Sequence, residues 1–345
     1  MREFYEPKFY EVRALAHLAR MLNCLIVANF RLPHFKLPPN ERPEVDGYVE
    51  IDRKDWAIEV KSYPLSEVDI DKIAVRYESL GFEQLIVVAP LIKAYSLRMR
   101  SPKVELVTFK PDLSPIATYY KYHVLTDEWV QEELADGWYH FRYKLAERGE
   151  KKLAWALNQT DKRIRDGNEL WREILHRVMP KVTPIRVYWS VNQWLSPKDL
   201  YFARRPNTLI KERVVFDIDG DQIHSPFFPC LINDQGMCEY CFRFAKQHTQ
   251  RLIEFLNENG LYKLRVVFSG WRGFHVYVLD ENIVTKQVND LLRNAISRKI
   301  RIDRRVTLDY KGIIGLPGTL HGHSMKPLVT VVDLAHFTWD DVQRL

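Results

Sequence analysis

Three observations predict a mixed α/β (α+β) protein built from two units. Short apolar runs of strand character alternate with longer stretches of helical spacing. That alternation occurs twice, on either side of a polar middle region with scattered aromatics. The chain's 345 residues suffice for two cores, at ~100–200 residues per domain. The composition, 46% hydrophobic and 28% charged, is that of ordinary folded domains. The expected boundaries are 1–112 for the first unit, 113–183 for a helical linker and 184–345 for the second unit.

In the first unit, Val12, Leu15, Leu18, Ala19 and Leu22 recur at helical spacing over 10–23. Leu25-Ile-Val-Ala-Asn-Phe reads as a strand, and Pro33, Pro38, Pro39 and Pro43 break regular structure after it. Two strands are expected at 46–51 and 56–61, then a helix over 66–80 with Val68, Ile70, Ile73, Tyr77 and Leu80 on its apolar side. Leu85-Ile-Val-Val-Ala-Pro is the continuous apolar run of a buried parallel strand, and Val104 to Phe109 adds another. Residues 113–183 read as helices that join or brace the units. The second unit reads as strands near 185–191 and 213–219, a cysteine-bearing loop and a helix over 239–258. Strands near 264–268 and 274–279, a helix near 284–299, and strands near 306–309 and 328–332 follow.

No stretch reaches the ~20 apolar residues that span a bilayer, and Met1-Arg-Glu-Phe-Tyr lacks the apolar core of a signal peptide. A cytoplasmic, membrane-free protein is expected. The net charge of +6 is compatible with a polyanionic partner. Basic residues cluster at Arg298, Lys299, Arg301, Arg304 and Arg305, and again at Lys162, Arg163 and Arg165. Of four cysteines, Cys230, Cys238 and Cys241 fall within twelve residues, which points to metal before disulfide. Cys24 sits in an apolar stretch and reads as a small buried hydrophobe.

Val214-Val-Phe-Asp-Ile-Asp-Gly-Asp is a strand that ends in alternating carboxylates. Side chains two apart on a strand share a face, so Asp217 and Asp219 can share divalent cations, Mg²⁺ or Mn²⁺, in phosphoryl transfer. Ser269-Gly-Trp-Arg-Gly-Phe-His-Val-Tyr-Val lies between apolar runs. Gly270 and Gly273 allow a tight turn near a ligand, while Ser269, Arg272 and His275 offer donors to phosphate. Val306-Thr-Leu-Asp-Tyr supplies a third strand carboxylate, Asp309, and Leu316-Pro-Gly-Thr-Leu-His places His321 after a turn.

From about Tyr188 to Val332 these motifs, in this order, resemble the catalytic small subunit of archaeo-eukaryotic primases. The resemblance implies metal binding by Asp217, Asp219 and Asp309. It implies that Ser269, Arg272, His275 and His321 hold the triphosphate of an incoming nucleotide. The implied activity is template-directed nucleotide addition on single-stranded DNA, primer synthesis included, and the implied partners are a large primase subunit or replication and repair proteins. One departure stands out: many members carry a basic residue where this chain has Gly315, and Lys311 or Arg305 is expected to compensate. The interval from Val278 to Asp309 holds only 30 residues, too few for the helical insertion common in archaeal members. No accessory region is expected behind the third motif. Cys230, Cys238 and Cys241 lie where zinc-bearing members place a zinc knuckle, and a structural zinc is expected. His224 is the first choice for its fourth ligand and His248 the second.

Asp46-Gly-Tyr-Val-Glu-Ile followed by Trp56-Ala-Ile-Glu-Val-Lys resembles the restriction-endonuclease-like fold and its Asp…Glu-x-Lys signature. Glu59 and Lys61 point to one side of their strand, where Asp46 can meet them. Such a trio suits Mg²⁺, with Lys61 orienting the attacking water and Glu11 as a further ligand. This domain is expected to cut DNA or to grip it. The alternative reading of the whole chain is a metal-dependent endonuclease whose second unit only recognises nucleotide or DNA. A non-catalytic binding subunit is disfavoured, because three clustered acids repel phosphates unless metals neutralise them.

Overall fold

The computed structural model describes residues 5–31, 44–93, 103–123, 127–136, 139–146, 155–156, 169, 172–178, 183–194, 209–220, 230–280, 285–308 and 312–345. They fall into two units. The first comprises Met1–Asp112, Ala146–Ala154 and Ile223–Cys238; the second comprises Leu113–Leu145, Trp155–Gln222 and Glu239–Leu345.

The first unit opens with the helix Pro7–Leu22. The Glu6 side chain caps it by accepting the Phe9 N–H at 2.6 Å, and Pro7 occupies the first turn, where its missing N–H costs nothing. The helix ends at Asn23, which takes the left-handed conformation at φ 50°. A six-stranded sheet follows in the order Cys230–Ile232, Ile26–Arg31, Glu44–Ile51, Lys54–Val60, Gln84–Ala89, Lys103–Thr108. Pairing is antiparallel up to Lys54–Val60 and parallel beyond it. Between the parallel strands Lys54–Val60 and Gln84–Ala89 runs the helix Glu67–Ser79, opened by a capping box of Ser66 and Asp69. Its Ile70 and Tyr77 join Ala57, Leu85 and Val87 in the core. Gly47 lets the first helix pack closely on the sheet: a Cβ there would lie 2.8 Å from Leu15 Cδ2 and 3.2 Å from Ile58 Cβ.

In the second unit, the stretch expected to be helical carries helices Ser114–Tyr122 and Glu128–Asp136, and then a strand, Phe141–Leu145. The strand forms because Phe-Arg-Tyr-Lys-Leu alternates, with Phe141, Tyr143 and Leu145 buried. It pairs antiparallel with Pro184–Ser190, whose other edge takes Ile313–Gly315. A separate antiparallel sheet has the order Val214–Asp219, Gly273–Val278, Leu264–Phe268, Val329–Val331. One face of it turns Phe216, Ile218, Phe268, Phe274 and Val276 into the core, and the helix Glu239–Glu258 packs against this sheet.

The strand expected at 306–309 does not form. Arg304–Leu308 is a short helix, and Asp303 starts it: its carbonyl accepts the Thr307 hydroxyl at 3.1 Å. The β-branched pair Val306 and Thr307 suggested a strand, and the local hydrogen bonding of Thr307 outweighs that preference.

Phe242 on the packed helix lies within ring contact of Phe268, Phe274, Phe337 and Trp339. Phe242→Ala is expected to destabilise the protein by about 3–5 kcal/mol, read as a lowered midpoint in urea or thermal denaturation. A loss below about 1 kcal/mol would mean that this aromatic cluster does not organise the second unit.

Candidate functional site

The face of the second-unit sheet opposite the packed helix carries Asp217, Asp219, His275 and Tyr277 by simple alternation. Asp217 stands opposite His275 and Asp219 opposite Gly273. The His275 Nε2 lies 3.8 Å from Asp217 Oδ1, and the Arg272 Nε lies 4.0 Å from Asp219 Oδ1. Asp217 stays 19% exposed and Asp219 40%, so both acids are open to solvent and to ions.

On its other side Asp217 meets a residue that the sequence reading passed over. The Asp303 N–H donates to the Asp217 carbonyl at 2.7 Å, and the two form an isolated antiparallel bridge. Directly bridged residues project to the same face, so Asp303 joins Asp217 and Asp219 there. A signal existed: Ile300 and Ile302 are buried and Arg301 is exposed, a period of two that ends at Asp303. Asp309, the expected third carboxylate, lies outside the described residues. The three acids do not all lie within 4.8 Å of one another.

The turn Ser269–Arg272 joins two strands of this sheet. Its closure is reciprocal: the Ser269 N–H donates to the Gly273 carbonyl at 2.9 Å, and the Ser269 hydroxyl accepts the Gly273 N–H at 3.1 Å. The hydroxyl proton can still be donated to a ligand. Gly270 takes φ +79°, and a Cβ there would lie 2.8 Å from His321 Cβ. The Ser324 hydroxyl ties the Gly270 carbonyl to the segment that follows His321. Trp271 stacks on His321 with ring centroids 5.4 Å apart, and the Arg272 guanidinium lies 3.7 Å from the Trp271 centroid. Burial, helped by the nearby Arg186 charge, holds His275 and His321 far below the usual imidazole range. Both are therefore neutral at physiological pH. The His275 Nδ1 is buried with no hydrogen-bond partner among the described residues.

Cys230, Cys238 and Cys241 are buried, and their sulfurs lie within 4.8 Å of one another. None is in a disulfide. Among the described residues no fourth ligand joins them. His248 does not: its Nδ1 accepts the Arg301 N–H at 3.2 Å. His224 lies outside the described residues. Three buried thiols so spaced can hold one soft, tetrahedral ion.

In the first unit Asp46, Glu59 and Lys61 come together. The Asp46 carboxylate accepts the Val60 N–H at 2.8 Å, and Lys61 forms a close ion pair with Glu59. Tyr77, from the helix after this strand, donates its hydroxyl to the other oxygen of Glu59, which is buried. By sequence Tyr77 belongs only to the apolar side of its helix. Arg76 stands 3.9 Å from Glu59, and Glu11 pairs with Lys8 at 2.6 Å. Burial, with the charge of Glu59 and a smaller contribution from Glu11, pushes the Asp46 carboxyl up to about 7. Burial lowers Lys61, but its bond to Glu59 and the charges of Glu59 and Asp46 outweigh this and raise it.

Comparison with known proteins bears mainly on the second unit. Residues 216–333 match the family model of the DNA primase small subunit. The chain is 31% identical over 151 residues to the DNA primase small subunit PriS of Pyrobaculum calidifontis, covering 43% of each protein. It is 28% identical over 192 residues to PriS of Pyrobaculum arsenaticum, covering 43% of this chain and 60% of the relative. Against PriS of Methanococcus maripaludis it is 31% identical over 135 residues, covering 38% and 35%. The chain thus spans 35–60% of the length of these relatives. Among solved structures, the polymerase domain of Mycobacterium tuberculosis Ligase D in complex with DNA aligns over 67% of this chain and 87% of that one. Its TM-score of 0.37 and 13% identity are too low to add to the sequence matches. No helix among the described residues is long and apolar enough to cross a membrane.

The raised Asp46 carboxyl has a measurable consequence. Between the ordinary carboxyl value of 3.8 and about 7, the folded unit keeps a proton that the unfolded chain has lost, so stability falls as pH rises through that window. Asp46→Asn keeps an acceptor for Val60 and removes the charge. In EDTA at pH 8 it is expected to stabilise the protein by roughly 2–4 kcal/mol, a gain that shrinks as pH falls toward 4. An equal effect at both pH values would contradict this electrostatic account.

Proposed function

We propose that this chain, whose residues 216–333 are an archaeo-eukaryotic primase-type catalytic domain, is a template-directed DNA primase and polymerase. The observation that carries the reading is the division of one sheet face. Asp217, Asp219 and Asp303 occupy one end, and His275, Arg272 and His321 lie beside them. The acids suit Mg²⁺ or Mn²⁺, which when bound lower the pKa of a primer 3′-hydroxyl and neutralise the departing pyrophosphate. Arg272, the Ser269 hydroxyl and the neutral His275 are donors for the triphosphate, and His321 lies beside them with its ring nitrogens facing the Arg186 guanidinium and the His323 N–H. The 3′-oxygen forms a bond to the α-phosphorus as the bond to the bridging α–β oxygen breaks, and pyrophosphate leaves. Single-stranded DNA is the template, and a large primase subunit or replication and repair proteins are the candidate partners.

The test is primer synthesis on single-stranded DNA with labelled nucleotides and Mg²⁺ or Mn²⁺. Asp217→Asn and Asp303→Asn are each expected to lower the rate on the order of 100-fold or more, without lowering thermal stability. If Asp309→Asn abolishes synthesis and Asp303→Asn does not, the third ligand is Asp309. Wild type that neither starts nor extends chains, alone or with a large subunit, would sink the reading.

Cys230, Cys238 and Cys241 are read as ligands of a structural zinc. About one zinc per chain is expected by atomic absorption, and Cys238→Ser is expected to lower both zinc content and thermal midpoint.

The first unit is read as a nuclease-like domain that cuts or holds DNA. The convergence of Asp46, Glu59 and Lys61 favours this reading. Mg²⁺-dependent template cleavage lost in Glu59→Ala or Lys61→Ala would establish cutting, and lost DNA binding without cleavage would establish holding.

A further inference from the structure

We propose that Arg186 binds the triphosphate of the incoming nucleotide, reaching in from the strand Pro184–Ser190 across the space that Gly315 leaves open. The inference deepens the nucleotidyl-transfer reading and rests on it. It starts from a glycine that the backbone does not require. Gly315 is not among the described glycines with positive φ, so its conformation suits any residue. What crowds the position is two side chains, those of Arg186 and Leu328. A Cβ at 315 would lie 2.9 Å from Arg186 Nη2, 3.1 Å from Arg186 Nε and 2.5 Å from Leu328 Cδ2.

The pairing explains the encounter. Tyr188 stands opposite Gly315, and Arg186, two residues earlier, projects to the same face of that sheet. There its guanidinium lies over the Tyr188 ring, 4.9 Å from the centroid, and its Nη1 lies 3.0 Å from His321 Nε2. Arg186 is only half-buried as a residue, yet its Nε is buried with no hydrogen-bond partner among the described residues. Among the described residues no carboxylate lies within 4.0 Å of it. A guanidinium held in place by an aromatic ring and a histidine, with no anion beside it, is costly to bury unless an anion arrives. The group nearest it in the proposed reaction that carries several negative charges is the triphosphate. A planar fork of donors matches phosphate oxygens well.

Two adjacent features agree. The buried His275 Nδ1 lacks a partner among the described residues, and the Arg186 charge contributes to keeping His275 and His321 neutral. From sequence alone, Lys311 or Arg305 is the expected source of the missing cation. Lys311 lies outside the described residues, as does the Arg305 side chain. The structure supplies a cation from a strand more than a hundred residues earlier in the chain, where no local pattern marks it.

The test measures equilibrium binding of a nucleoside triphosphate and of the matching monophosphate to the full chain with Mg²⁺, together with KM and kcat in primer extension. Arg186→Gln can still donate to His321 but loses the charge. It is expected to weaken triphosphate binding about ten- to a hundredfold, to raise KM likewise, and to leave monophosphate binding and the thermal midpoint unchanged. Arg186→Lys keeps a positive charge on the same strand without the planar fork. It is expected to retain part of the triphosphate affinity that Arg186→Gln loses. The proposal is overturned if Arg186→Gln binds triphosphate as wild type does, or loses triphosphate and monophosphate alike. His275→Ala separates the two levels. Lost binding there with intact binding in Arg186→Gln removes only the role of Arg186. Wild type that binds no nucleoside triphosphate removes the nucleotidyl-transfer reading with it.

Discussion

Six register pairs join Val214–Asp219 to Gly273–Val278, and the functional face of the second unit depends on that ladder. Side chains alternate across a strand, so a slip of one residue would turn Asp217 and Asp219 toward Phe242, Phe268 and Phe274. Burying carboxylates among those rings would cost far more than the slip could recover. Two glycines let the strands run together at the end where Asp219 sits. A Cβ on Gly273 would lie 2.5 Å from the Ile218 carbonyl oxygen, and one on Gly220 would lie 2.5 Å from that of Arg272. The motif residues are thus of two kinds, some offering chemistry and some offering only the absence of a side chain.

The same face also sorts charge. Acids lie on Val214–Asp219 and at Asp303; donors lie on the Ser269 turn, at His275 and at Arg186, whose guanidinium meets His321. Placing buried imidazoles next to fixed cations forbids their protonation, so the donor side keeps one charge state over the pH range in which carboxylates remain ionised. In the first unit the opposite holds. Asp46 and Glu59 crowd each other, and the resulting pressure is relieved by a proton, by Lys61 and by the Tyr77 hydroxyl.

Much of this was legible in the sequence because it is written in short periods. The alternation in Val214-Val-Phe-Asp-Ile-Asp places Asp217 and Asp219 on one face, and the helical spacing over 239–258 places its apolar side on the sheet. The apolar run Leu85 to Ala89 is a buried parallel strand, as such runs predict. What escaped was non-local or locally contradictory. Asp303 hides among arginines and is identified only by its bridge to Asp217. Val306 and Thr307 favour a strand by type and adopt a helix by hydrogen bonding. Phe141–Leu145 alternates cleanly but sits in a polar region whose composition argued for helix. Arg186 became visible only through the space beside Gly315.

One strand of the first unit comes from far along the chain. Ile26–Arg31 is flanked by Glu44–Ile51 on one side and by Cys230–Ile232 on the other. During synthesis, the sheet made from the first hundred or so residues therefore waits for residue 232 before its outer edge is covered. At ~5–20 residues per second, that delay is on the order of ten seconds, during which unpaired backbone groups on Ile26–Arg31 invite strangers. The same arrangement constrains inheritance: a recombination event that exchanged the first 112 residues as a cassette would deliver a sheet without its border strand. The two units are thus transmitted as one text, whatever separate chemistries they carry.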